Sequence, residues 1–143
     1  MVITRTIRLQ TNPVEAENHV YLVDITREAQ ELVAGTDIRN GTVTVFVPGS
    51  TAAVATIEYE RGLVSDFQNM CERTVPRDII YAHEFQWSEN NGYSHVRASL
   101  LGPSMVIPLA DRRLTLGTYQ QLVFVDFDNR PRSRQIILQI MGE

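Results

Sequence analysis

The chain has 143 residues, 43% of them hydrophobic and 21% charged, and a net charge of -4; this is the composition of one soluble globular domain that buries its core without staples. The acidic balance argues against nucleic-acid and membrane-surface roles, and no apolar run nears the roughly 18 residues of a spanning helix. A single cysteine, Cys71, excludes an internal disulfide, and residues 1–10 alternate in polarity rather than forming a signal-peptide core, so a cytoplasmic protein is expected.

Taken in chain order, Ile3, Arg5, Ile7 and Leu9 alternate against Thr4, Thr6 and Arg8, the period of a strand with one face buried. "NHVYLVDIT" predicts a second strand. Thr26 is positioned to cap a short helix, "REAQELVAG", which Gly35 would end in the left-handed conformation. "GTVTVFVP" and "TAAVATIEYE" predict two further strands. From Gly62 to Arg73 the period changes: Leu63, Phe67, Met70 and Cys71 form one helical stripe, and Pro76 stops its continuation. Residues 77–91 predict mostly irregular structure, and "GYSHVRASLLG" a short helix closed by Gly102. "SMVIPL", "LTLGTYQQLVFVDF" and "RSRQIILQIMG" predict strands, the last two joined by the turn "DNRP". Strand follows strand more often than helix, so the expected fold is α+β, with packed, mixed but largely antiparallel β-sheets and two or three helices in a single domain over residues 1–143. "QQLVFVDF" and "QIILQIM" are more apolar than strict alternation requires, as in a sheet covered on both faces or buried against another subunit.

Four constellations could carry chemistry. His83 and His95 lie twelve residues apart in a polar stretch with Trp87. Neutral imidazoles are metal ligands, but this spacing has no local geometry, and two ordinary surface histidines are the plainer reading. Trp87 suits a pocket wall or a subunit contact. His19, on an expected strand, reads as structural, and Cys71 as core. The turn containing Ser50 and Thr51 offers hydroxyls and main-chain N–H groups to an anion, with Glu58 and Asp66 following; a plain turn and two solvated carboxylates fit equally well. Gln120, after Gly117, could present an amide to a pocket. Arg132 and Arg134 share one face of the last strand, where paired guanidiniums suit phosphate and a solvated edge is the simpler alternative.

The order of these motifs adds what spacing alone does not. "GSTAAV", "IEYE", "RTVP", "Y-A-H", "SH", "LLGPSMVIPL", "RLTLGTYQ", "RSR" and "QIMGE" together resemble the YjbQ-like family, often labelled secondary thiamine-phosphate synthase, over nearly the whole chain. The resemblance implies a compact homotrimer with sites near subunit boundaries and a histidine metal pocket holding a divalent ion, Mg²⁺ or Zn²⁺. His83 and His95 match its metal ligands, and Glu58 and Asp66 its acidic residues, expected to be catalytic. Gln120 matches the glutamine of its "LGTWQ" motif, with Tyr119 in place of the tryptophan. Gly49 departs from the family's usual histidine, which would leave a two-imidazole ligand set. The implied reaction joins a pyrimidine methyl diphosphate to a thiazole phosphate, with Ser50, Thr51, Gln120, Arg132 and Arg134 available to a small phosphorylated ligand. Gly49 leaves a non-catalytic metal- or anion-binding trimer as the alternative.

Overall fold

The computed structural model describes residues 1–143. Eight strands and three α-helices follow in the order β1 (Val2–Thr11), β2 (Tyr21–Asp24), α1 (Thr26–Ala34), β3 (Gly41–Phe46), β4 (Ala52–Ile57), α2 (Arg61–Thr74), α3 (Gly92–Leu101), β5 (Ser104–Ala110), β6 (Arg113–Leu114), β7 (Gln121–Asp126) and β8 (Arg132–Gly142). A five-stranded sheet has the order β1-β8-β3-β5-β6 and a three-stranded sheet the order β2-β7-β4. Every strand pair is antiparallel, so the expected α+β class holds and the sheets are not mixed.

The layering explains the apolar excess in β7. Leu122 and Phe124 face the larger sheet, packing with Val43, Val45, Ile136, Leu138 and Ile140, with α1 closing this core through Ala29 and Val33. Val123 and Val125 face the opposite way, toward Cys71 of α2 and Ala98 of α3. The small sheet is therefore covered on both faces, and its strands read as continuous apolar runs. β8 differs: its buried residues alternate with exposed Ser133, Gln135, Gln139 and Met141, so only one of its faces is covered.

Several local expectations change. His19 belongs to a short 3-10 turn, Glu17–His19, and not to a strand; its ring nitrogen pairs with the Tyr93 hydroxyl at 2.8 Å. Thr26 is the first residue of α1, and the Asp24 carboxylate accepts from its N–H and hydroxyl. Gly35 keeps a right-handed φ of -76°, so its freedom is not what ends α1. "LTLGTYQQLVFVDF" is not one strand: β6 and β7 are separated by a loop that Gln120 closes on itself, its Oε1 accepting from the Gly117 N–H at 3.0 Å. Asp66 lies in the middle of α2, and Glu60 serves as that helix's cap, accepting from the N–H groups of Gly62 and Leu63.

These features set the expected cost of opening the core. Phe124 is 0% exposed between the two sheets. Phe124→Ala is expected to destabilise the fold by about 3–5 kcal/mol, measured by urea unfolding; a loss under about 1 kcal/mol would show that the layers do not meet there.

Candidate metal and anion site

One end of the molecule gathers the polar residues. The register that pairs Ala52 with Asp126 and Thr11 with Arg132 brings the start of β4, the end of β7 and the start of β8 together. Arg134 points inward from β8, and its guanidinium grips Asp126 in a fork: Nε donates to Oδ2 at 2.7 Å and Nη2 to Oδ1 at 2.8 Å. Thr11 donates its hydroxyl to the same carboxylate at 2.6 Å. Both charges are buried, so each depends on the other. Losing one partner of such a pair costs about 3–5 kcal/mol.

The network extends through Thr51. Its hydroxyl accepts from Arg134 Nη2 at 2.7 Å and donates to Asp128 Oδ2 at 3.1 Å. Asp128 also accepts from the Asn91 amide at 3.2 Å and from the Asn129 N–H at 2.8 Å. Asn91 is the residue before α3. A chain of hydrogen bonds therefore runs from β8 through the β3–β4 turn to the start of the helix that carries His95. Because the amide nitrogen faces a carboxylate that can only accept, the orientation of Asn91 is fixed. Its Oδ1 is left buried without a partner.

The second histidine arrives by a different clamp. His83 sits on a 3-10 turn, Ala82–Phe85. The Glu84 carboxylate accepts from the N–H of Tyr81 at 2.7 Å and from the N–H of Gly92, the first residue of α3, at 3.0 Å. A Cβ at Gly92 would fall 2.5 Å from the Tyr81 Cβ, so only glycine lets the turn sit this close. The result places the His83 and His95 rings 4.5 Å apart, centroid to centroid, tilted by 51°. His83 Nε2 is buried and makes no hydrogen bond within the protein.

Burial, together with neighbouring His83, holds the His95 imidazole below its ordinary value, while Asp128, Glu89 and the Ser50 main chain pull the other way. His95 is therefore neutral near pH 7, the form that binds a metal.

The remaining expected site residues divide clearly. Thr51 and Arg134 are at the site, but the Thr51 hydroxyl is engaged on both sides and two edges of the Arg134 guanidinium are committed within the protein. Arg132 is more accessible, its Nε 3.6 Å from Asp128. Ser50 is exposed on the turn. Glu58 and Gln120 lie elsewhere: Ile57 pairs with Gln121 at the opposite end of the β4–β7 ladder, five residue steps and roughly 17 Å from Asp126. Gln120 donates there to Thr56. Asp66 is exposed on α2. A hollow shared by both histidines, Glu58 and Gln120 is therefore not present within the chain. Trp87 is 63% exposed.

Asn91, Asp126 and Asp128 were not singled out from the sequence. The available signal was charge parity. Asp126 and Asp128 stand two apart before the turn, as Arg132 and Arg134 do after it, and the turn carries the chain from the small sheet to the large one, where the opposite charges meet between the sheets.

Asp128 gives a pH dependence. Burial alone raises its pKa, but the Asn129 N–H, Asn91, Thr51 and Arg132 outweigh burial and hold the carboxyl below the usual range. A carboxyl lowered on folding contributes stability that is fully present above its unfolded value, about pH 4, and lost as pH falls through the folded value. Asp128→Asn is expected to melt well below the parent at pH 7, with the gap closing below about pH 4. Thermal melts across that range test it; a gap independent of pH would mean that the charge of Asp128 does not stabilise the fold.

Comparison with known proteins agrees with this architecture. A UPF0047 protein of Methanothermobacter thermautotrophicus is 38% identical over 134 residues, covering 94% of this chain and 92% of that one. The Bacillus subtilis UPF0047 protein YugU is 28% identical over 94% of this chain and 99% of its own. Among solved structures, a YbjQ-like protein of unknown function from Sulfolobus solfataricus superposes with a TM-score of 0.87 at 29% identity, with all of both chains covered. A hypothetical protein from Aeropyrum pernix gives 0.84 at 30% identity, covering 97% of this chain and 99% of that one. The family model described as "UPF0047 protein YjbQ-like" matches residues 10–143, and the chain belongs to that family.

Proposed function

We propose that the protein binds a divalent metal ion between His83 and His95 and uses it to handle a small phosphorylated molecule. The observation that carries this reading is the buried, unpartnered His83 Nε2 beside the ring of His95. A polar atom removed from water without a partner costs about 1–3 kcal/mol, and a bound cation removes that cost. Two imidazoles are what one protomer offers; no group of three His, Cys, Asp or Glu side chains is arranged to hold an ion. Open positions would fall to water or ligand oxygens, a mixed set that suits Zn²⁺ better than Mg²⁺, which prefers oxygen ligands throughout.

The reaction best suited to such a site is the thiamine-phosphate-synthase-like coupling. The thiazole nitrogen attacks the pyrimidine methylene carbon, and the carbon–oxygen bond to the diphosphate breaks with its electron pair leaving on oxygen. A bound metal would supply charge stabilisation to the departing diphosphate. Arg132, part-exposed at the rim, is placed to receive phosphate oxygens. No proton transfer is required of the protein at the reacting nitrogen, which accords with Asp126 and Asp128 being committed to the structural network. In this reading the protein is cytoplasmic and forms a homotrimer, with Glu58 and Gln120 taking part from a neighbouring copy. No helix is long and apolar enough to cross a membrane.

The small ligand set favours a second reading, a non-catalytic protein that binds a metal or anion. Equilibrium dialysis against Zn²⁺ and Mg²⁺, followed by assay with both phosphorylated substrates, separates the two. The first reading expects about one ion per protomer, at least a tenfold loss of affinity in a folded His83→Ala/His95→Ala variant, and thiamine phosphate among the products. Metal binding without product supports the second reading. Affinity unchanged by the double substitution would overturn the histidine metal site on which the first reading rests.

A further inference from the structure

Gly49 lies in the turn between β3 and β4, exposed, with φ at 130°, a conformation L side chains rarely adopt. A Cβ built there would stand 3.2 Å from Arg134 Nη1, with nothing else within 4 Å. The space in front of that guanidinium nitrogen is open because position 49 has no side chain.

Arg134 is otherwise enclosed, at 5% exposure. Nε and Nη2 serve Asp126 and Thr51. Nη1 makes none of the hydrogen bonds of this side chain and is not among the fully buried atoms without a partner, so it is the guanidinium nitrogen left open toward the notch. A guanidinium carries five donors in a rigid plane. Its other two edges are anchored to Asp126 and Thr51, so the free edge is held in orientation before any ligand arrives, and little rotamer freedom remains to be lost on binding.

We propose that Gly49 keeps open an oxyanion seat on Arg134 Nη1, and that this seat takes one phosphate oxygen of a phosphorylated ligand, with the exposed Ser50 beside it and Arg132 at the rim. The ligand class rests on the proposed function; the seat itself does not. The groups facing it are Asp126 and Asp128 against Arg132 and Arg134, two negative and two positive charges. The seat thus works by directed N–H donation more than by net charge. It favours a compact oxyanion that presents an oxygen to Nη1, and it discriminates poorly in favour of extended polyanions.

The test uses metal-free full-length protein in EDTA, with inorganic pyrophosphate as probe, followed by the guanidinium nitrogen resonances of Arg134 in NMR. Saturable movement of the Arg134 signals is expected, with the same response in the His83→Ala/His95→Ala variant, so a failed metal reading leaves this result intact. Gly49→Ala places a methyl group over Nη1 and is expected to weaken pyrophosphate at least tenfold. Should that variant misfold on its strained φ, the titration of the parent protein decides alone. Arg134 signals that stay still through the titration, or folded Gly49→Ala protein binding like the parent, would overturn the seat.

Discussion

The buried pair between Arg134 and Asp126 is the constraint from which the site follows. Two charges withdrawn from water hold each other only when their remaining donors and acceptors are satisfied. Satisfying them recruits Thr11 from β1, Thr51 from the β3–β4 turn and, through Asp128, Asn91 at the start of α3. Four separate chain segments are thereby fixed around one guanidinium. The histidines lie outside this network, and their placement depends on it: α3 carries His95, and the same helix start receives the Glu84 clamp that brings His83 alongside.

The two-sided small sheet makes this arrangement rigid. β7 is buried on both faces, so its last residue, Asp126, projects from a strand that cannot shift without disturbing both cores. β4 is held against it in register, which fixes Thr51 just before the strand begins. Sites supported by strand ends keep their geometry better than sites on free loops. Here the β3–β4 turn and the stretch around Trp87 surround a fixed polar centre.

Much of this was legible in the sequence. Alternation in "ITRTIRL" and the helical stripe of Leu63, Phe67, Met70 and Cys71 map onto β1 and α2 because their periods follow from one-sided burial. Gly35 and "LTLGTYQQ" misled for a local reason: a glycine or a β-prone run permits a conformation without requiring it, and Gln120 closing on Gly117 settled the second case. The histidine pair could not be read from its spacing, since a separation of twelve residues sets no angle. What brings the rings together is Glu84 bridging to Gly92, a contact between a carboxylate and a main-chain N–H that leaves no periodic trace. Glu58 and Gln120 were grouped with the histidines by resemblance, and the antiparallel register places them at the far end of the ladder. Arg132 and Arg134 were recognised as a pair on one face, but their partners were not, because Asp126 and Asp128 follow a strand of the other sheet and meet the arginines only where the two sheets pack.

The central claim is that the two imidazoles serve one ion. X-ray absorption at the zinc edge of the loaded protein tests it without reference to any reaction. Two imidazole nitrogens at about 2.0–2.1 Å, with the remaining scatterers oxygen, are the expected coordination. A zinc shell of oxygen alone, or one with a single imidazole, would contradict it.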